Sequence, residues 1–290
     1  MNSQLTDRIK ENSGGFSKGQ RMIAKYIEEH SEKVAFMTAA RLGTTVGVSE
    51  STVVRFATEI GYSGYPALQQ AIQEMIRSKL TSVQRLEMTS TNIDPTRLLD
   101  AVLEQDIDIL RRTKENVDRK SFYEAADALV RAKRVYVLGA GSSLALATFL
   151  AHYLRLVFDT VHLIEATSEA TILQQMIRLG PEDAIIAISF PRYSKKAAKT
   201  MKYASDRGAA TIAITDSSLS PVARVSSHLL LARSDMVSFV DSLVGPLSLI
   251  NALIVTVAIK KKDEVADTLR KIEGIWDEYG IYEKVDEKNN

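Results

Sequence analysis

From residue 134 onward the sequence repeats one pattern: short, largely β-branched runs at 135–138, 160–164, 184–189, 211–215 and 228–231, separated by segments whose apolar residues recur at helical spacing. Runs such as Val135-Tyr136-Val137-Leu138 and Ala184-Ile185-Ile186-Ala187-Ile188 are apolar at consecutive positions, so both faces of the strand must be covered. Strands of this kind joined by helices form right-handed βαβ crossovers, and the product is a five-stranded parallel sheet with helices on both faces. Sites in such α/β sheets lie at the carboxyl ends of the strands. The loops after the five runs are therefore where a binding site is expected.

The first 77 residues follow a different rule. Met22, Ile23, Tyr26 and Ile27 lie on one face of a helix over 18–31, with charged residues on the other. A second short helix covers 38–45 and is broken at Gly47-Val48-Ser49, after which Ser49 caps a third helix over 50–60 that stops at Gly61. This predicts an all-α domain over 1–77. The polar stretch 78–94 shows little periodicity and reads as a linker. Pro95 then opens a helix to about Thr113, with Leu98, Leu99, Val102, Leu103, Ile107 and Leu110 on its apolar face, and Asp118 or Ser121 caps another through Ala132. The second domain is thus assigned to 95–290, and a chain of 290 residues that is 45% hydrophobic can supply a core to each.

Composition removes several classes of function. A net charge of +1 rules out a uniformly basic coat, so a nucleic-acid surface must be local. The absence of cysteine removes disulfides, thiolate metal sites and cysteine nucleophiles. No metal or cofactor is expected. Residues 1–15 contain no apolar signal-peptide core, and the apolar stretch 244–259 is interrupted by Gly245, Pro246, Ser248, Asn251 and Thr256. It falls short of the roughly 20 residues a membrane span needs and reads as a buried core helix ending at Lys260-Lys261-Lys262. A cytoplasmic protein without a membrane partner is expected.

Two places carry chemistry. In the helical domain, Gly43 supplies the small residue at a helix crossing, Gly47 the turn, and Leu42, Val48, Val53 and Phe56 the buried contacts of a helix-turn-helix. With Val53 and Phe56 inward, the helical repeat turns Ser51, Thr52 and Arg55 outward near the start of the second helix, where base edges are read. Arg can donate two hydrogen bonds to guanine, and the Ser and Thr hydroxyls, with Ser49 beside them, can reach bases or phosphates. Lys18, Arg21 and Arg41 are candidates for phosphate contacts, and Tyr62, Ser63 and Tyr65 for further backbone contacts. Arg55 has an alternative partner in Glu59, one helical turn on.

In the second domain, the first strand runs into Gly139-Ala140-Gly141-Ser142-Ser143 and a helix, an arrangement that suits an anion or a sugar hydroxyl. The third glycine of a dinucleotide-binding loop is absent, Leu144 standing in its place, and so is the lysine of a nucleotide-binding P-loop. The third strand ends in Ser189-Phe190-Pro191-Arg192-Tyr193-Ser194 followed by Lys195 and Lys196, and the fourth in Thr215-Asp216. Gly141, Ser142, Ser143, Ser189, Arg192, Tyr193, Ser194 and Asp216 are the candidate ligand contacts.

Taken together, the stretch from Met37 through Val48-Ser49-Glu50-Ser51-Thr52-Val53-Val54-Arg55-Phe56 to Gly61-Tyr62-Ser63-Gly64-Tyr65, and the loops at 139–143, Ser168-Glu169 and after Ile188, resemble the RpiR family of bacterial transcription regulators. That family joins an N-terminal helix-turn-helix to a C-terminal SIS (sugar isomerase) domain. The resemblance implies a homodimer or homotetramer on an inverted-repeat DNA operator, regulated by a phosphorylated sugar or a related phosphorylated or carboxylated metabolite. By position Ser143 matches the serine of the first SIS loop, and Ser189 and Ser194 match the ends of the family's SxSGxT phosphate loop. The inner Ser-Gly is here Pro191-Arg192, so the usual backbone cradle is not expected to form unchanged. Either the Arg192 guanidinium replaces lost donors, or the pocket takes another ligand class. Two other functions stay open: a sugar-phosphate isomerase, for which Glu165, Glu169, His152, His162 and His228 are the residues to place, and a repressor whose SIS domain only oligomerises.

Overall fold

The computed structural model describes residues 3–76, 81–164, 168–235 and 238–282. The chain divides into two compact units, Met1–Pro95 and Thr96–Asn290.

The first unit is all helical: α1 (Ser3–Asn12), α2 (Lys18–Val34), α3 (Ala39–Val46), α4 (Glu50–Glu59), α5 (Tyr65–Ile76) and α6 (Ser82–Asn92). Ser17 starts α2 through a capping box in which its hydroxyl accepts from the Gln20 N–H and the Gln20 side chain accepts from the Ser17 N–H. Ile23, Leu42, Val53, Phe56, Leu68 and Ile72 are sealed from solvent and form one core. Helix α6 occupies most of the stretch expected to be a linker. Its polar composition hides a start signal: the Thr81 N–H donates to Gln84 Oε1 and the Gln84 N–H to Thr81 Oγ1, a reciprocal cap that polarity alone does not reveal.

The second unit contains α7 (Leu98–Asn116), α8 (Arg119–Arg131), β1 (Val135–Gly139), α9 (Ser143–Leu154), β2 (Val161–Ile164), α10 (Glu169–Gln175), β3 (Ala184–Ile188), α11 (Lys195–Asp206), β4 (Ala210–Thr215), β5 (His228–Leu231), α12 (Val244–Lys260) and α13 (Lys262–Tyr279). The strands form one parallel sheet in the order β2-β1-β3-β4-β5. Successive residues serve opposite faces. Val135, Val137, Ile186 and Ile212 pack under α8, α9 and α12, while Tyr136, Leu138, Ile185 and Ala213 pack under α10 and α11. The β4–β5 link departs from the expected helical crossover, holding only the short 3-10 turn Ala223–Val225.

At the amino ends of the strands, Arg134 grips Asp183 with two 2.9 Å hydrogen bonds, and the Asp183 carboxylate also accepts from the Gly180 N–H. The Asp183 side chain is fully buried, so this fork ties the starts of β1 and β3.

Helix α7 corrects an expectation. None of the six residues expected on its apolar face is buried: Leu99 is 71% exposed, Leu103 52% and Ile107 57%, and Leu98, Val102 and Leu110 are exposed as well, whereas Ile109, outside that set, and Thr113 are buried. Helix α12 is likewise only half a core helix, burying Leu249, Ile250, Leu253 and Val257 but exposing Val255 and Ile259. Among the described residues no single helix is long and apolar enough to cross a membrane.

Candidate nucleic-acid interface and effector cavity

In the first unit the turn between α3 and α4 is built as its glycines require. Gly47 ends α3 with φ 79°, and its N–H donates to the Gly43 carbonyl. At Gly43 an added Cβ would stand 2.8 Å from the Val48 carbonyl oxygen, so the crossing admits only hydrogen there. Leu42, Val53 and Phe56 are wholly buried and Val48 partly. The start of α2 also comes close: a Cβ on Gly19 would lie 3.1 Å from Val48 and 3.5 Å from the Thr52 methyl. This brings Lys18 and Arg21, both exposed, beside the amino end of α4.

Ser51 and Arg55 are exposed on α4, Thr52 is half-buried, and Arg41 is exposed on α3. The Ser49 hydroxyl accepts from the Thr52 N–H at 3.3 Å and lies 2.9 Å from the Ser51 and 2.8 Å from the Thr52 hydroxyl, so its first task is to cap the helix. Glu59 does not take Arg55, for it accepts instead from the Gln20 side chain. Among the described residues, no ion pair holds Lys18, Arg21, Arg41 or Arg55 back from an incoming phosphate or base. Tyr65 leaves the candidate set: it is 4% exposed, its hydroxyl donates to the Met37 carbonyl at 2.8 Å, and burial pushes its pKa up to about 12. Tyr62 is half-buried under the Arg8 guanidinium, which lies 4.8 Å from its ring centre.

In the second unit the strand order reverses at β1, whose two neighbours β2 and β3 are reached in opposite directions. Just outside the carboxyl ends of β1 and β3 lies a cavity of about 300 Å³. Gly141, Ser142 and Ser143 line it from the β1–α9 loop, Ser189, Arg192 and Ser194 from the β3–α11 loop. The amino ends of α9 and α11 both open onto it, so two helix dipoles favour an anion. The Ser142 hydroxyl makes no capping bond, whereas Ser194 caps α11 by accepting from the Ala197 N–H. Ser143 and Ser189 are buried in the wall.

The two glycines of the first loop do different work. A Cβ on Gly139 would lie 2.4 Å from the Ser143 carbonyl oxygen, so that glycine lets α9 fold tightly back on β1, whereas Gly141 meets open space and supplies a φ of 60°. In the second loop Arg192 holds φ 64°, alone among the described non-glycine residues in having a positive φ. Arg192 therefore keeps the backbone a glycine would adopt, with Pro191 buried before it, and the loop still faces the cavity. Left-handed backbone in a side-chain-bearing residue costs about 1–2 kcal/mol.

Of the candidate contacts, Tyr193 and Asp216 are not in the cavity wall; the Tyr193 hydroxyl donates to Asp216 Oδ1 at 2.9 Å. Asp241, which the sequence reading did not find, is in the wall. It precedes α12, and no local pattern at 238–242 marks it as belonging with loops more than forty residues upstream. Glu169, His152, His162 and His228, the described residues to place for catalysis, are not in the wall. Glu169 is held by Lys199 at 2.8 Å and its pKa is lowered by that hydrogen bond. His162 stacks on Tyr136, and burial lowers its pKa, as it does that of His228. His152 packs edge-on against Tyr153. Glu165 lies outside the described residues.

Residues 3–79 match the model of a helix-turn-helix domain of the rpiR family, and residues 128–256 match the SIS domain. An RpiR transcription factor of Sphaerobacter thermophilus, solved as its sugar isomerase domain, is 33% identical, with a TM-score of 0.58 over 61% of this chain and 98% of that one. The chain belongs to the RpiR family. This RpiR-family regulator also matches an uncharacterized HTH-type transcriptional regulator of Clostridium perfringens, 26% identical over 73% of this chain and 75% of the relative. The NanR protein of Vibrio vulnificus, solved in complex with ManNAc-6P, shares the fold along 94% of this chain and 97% of its own, with TM-score 0.58 and 24% identity.

Proposed function

We propose that this regulator binds an inverted-repeat DNA operator in the cytoplasm as a homo-oligomer, and that a small phosphorylated or carboxylated sugar metabolite in the β1/β3 cavity changes that affinity. The observation that carries the effector half is the cavity itself: two helix amino ends, four serines and Arg192 converge at the switch point of the sheet. ManNAc-6P in the NanR complex is a ligand of this chemical class. Glu169, His152, His162 and His228 all stand outside the wall, which supports binding over proton transfer at carbon by any of them.

In the helical domain, Ser51, Thr52 and Arg55 read base edges, Lys18, Arg21 and Arg41 hold phosphates, and Ser49 fixes the helix start. The exposed stripe of Leu99, Leu103 and Ile107 on α7 pairs with a second copy of the chain. On the same helix Asp108 already pairs with Arg112 at 2.7 Å and with Arg111 at 3.7 Å, so the apolar stripe, and not charge, is what a second copy covers.

The test is a thermal-shift panel of hexose 6-phosphates, ManNAc-6P and phosphorylated sugar acids on the full chain and on Arg55→Ala. The expected result is stabilisation of both proteins by the same compound and loss of operator binding only in the variant. Stabilisation by no compound would overturn the sensor, and unchanged DNA affinity would overturn the role of Arg55.

A further inference from the structure

The cavity wall is connected to α7 through two adjacent side chains. Asp241 faces the cavity, and the Ser242 hydroxyl beside it donates to Asp106 Oδ1 on α7 at 2.6 Å. Two further contacts fasten the same face of α7: Thr113 Oγ1 accepts from the Arg233 N–H at 3.2 Å, and Gly245 sits so close that an added Cβ would lie 2.8 Å from Thr113 and 2.9 Å from Ile109. Helix α7 therefore cannot slip independently of the start of α12. Nearby, the buried hydroxyls of Ser234 and Ser238 have no hydrogen-bond partner among the described residues.

Asp241 is also an odd residue for a pure anion site. A carboxylate repels phosphate, but it rewards a ligand that carries hydroxyl or amine donors next to its anionic group. We infer that Asp241 is the residue that distinguishes a polyhydroxylated phosphate from inorganic phosphate, and that the Ser242–Asp106 hydrogen bond carries its engagement to α7. This rests on the sensor reading above. It adds the residue that selects the ligand and the route by which occupancy reaches the helix whose neighbouring stripe pairs the two copies. The two arrangements of the element are the Asp241–Ser242 segment drawn toward the ligand or released from it, with α7 following through Asp106.

The experiment uses the full-length protein, inorganic phosphate, and the sugar phosphate panel including ManNAc-6P, with affinity read by titration and α7 followed by amide hydrogen exchange. In Asp241→Asn, affinity for the sugar phosphate that binds wild type should fall about tenfold or more, while inorganic phosphate binds as well or better. In Ser242→Ala, sugar phosphate affinity should stay within about threefold, but the ligand-dependent change in exchange over 98–110 should disappear. Ser242→Thr, which keeps the hydroxyl, should restore it. Equal loss of both ligands in Asp241→Asn, or no loss of either, overturns the selecting role. An α7 response that survives in Ser242→Ala overturns the route. If neither a sugar phosphate nor phosphate binds wild type, the sensor reading fails and this inference with it.

Discussion

Gly43 has no room for a side chain, because the atoms a Cβ would meet are backbone of the turn and of α4 rather than a side chain able to yield. Gly43→Ala should therefore destabilise the helical unit by about 1–3 kcal/mol and weaken DNA binding, measured by chemical denaturation and operator titration. An unaltered unfolding midpoint would contradict the crossing. This role was legible from the spacing of Gly43, Gly47 and the apolar set. Arg192 is the opposite case. Its left-handed backbone is a strain that glycine would relieve, so Arg192→Gly should leave stability unchanged or raise it by up to ~1 kcal/mol while weakening effector binding at least tenfold. A variant that lost both would show the arginine to be structural. The proline and arginine were legible as a departure from the family loop, but a backbone angle is not written in residue type. Asp183 was not legible as a structural residue at all. Its partner Arg134 is forty-nine positions away, and only the β1–β3 pairing brings them together.

Helix α7 was legible as an element, since its apolar residues recur at helical spacing. Which of them face the core was not, because the apolar arc is wider than the seam it forms with α12: Ile109 is buried while Leu103 and Ile107 are open. If the open stripe joins two copies, Leu103→Glu with Ile107→Glu should convert the protein to a monomer by light scattering, leaving the sheet unit folded. It should also weaken binding to an inverted repeat far more than to a single half-site. An unchanged mass would place the interface elsewhere. Helix α6 was missed for the converse reason. Its residues are mostly polar, its start signal is a two-residue cap, and composition spoke louder than capping. The β4–β5 link was overread, since parallel neighbours normally need a helix between them and here a single 3-10 turn suffices.

At the scale of the molecule, the switch from helical periodicity to β-branched runs marks two units of different architecture, and the strand-end rule points to the loops that wall the cavity. The convergence was less complete than the sequence suggested. The β1 and β3 ends meet, the β4 end stands behind them through Tyr193 and Asp216, and Asp241 arrives from a segment no strand-end argument reaches. A regulator of this construction must hold two free energies in one balance, DNA affinity and effector affinity, each altered equally by the other's occupancy. The most direct measurement is selection of random double-stranded DNA by the full chain, repeated in the presence of the sugar phosphate that stabilises it. Enrichment of an inverted repeat whose affinity changes about fivefold or more on adding the sugar phosphate is the predicted result. Failure to enrich any sequence, or an enriched site indifferent to every stabilising compound, would contradict it.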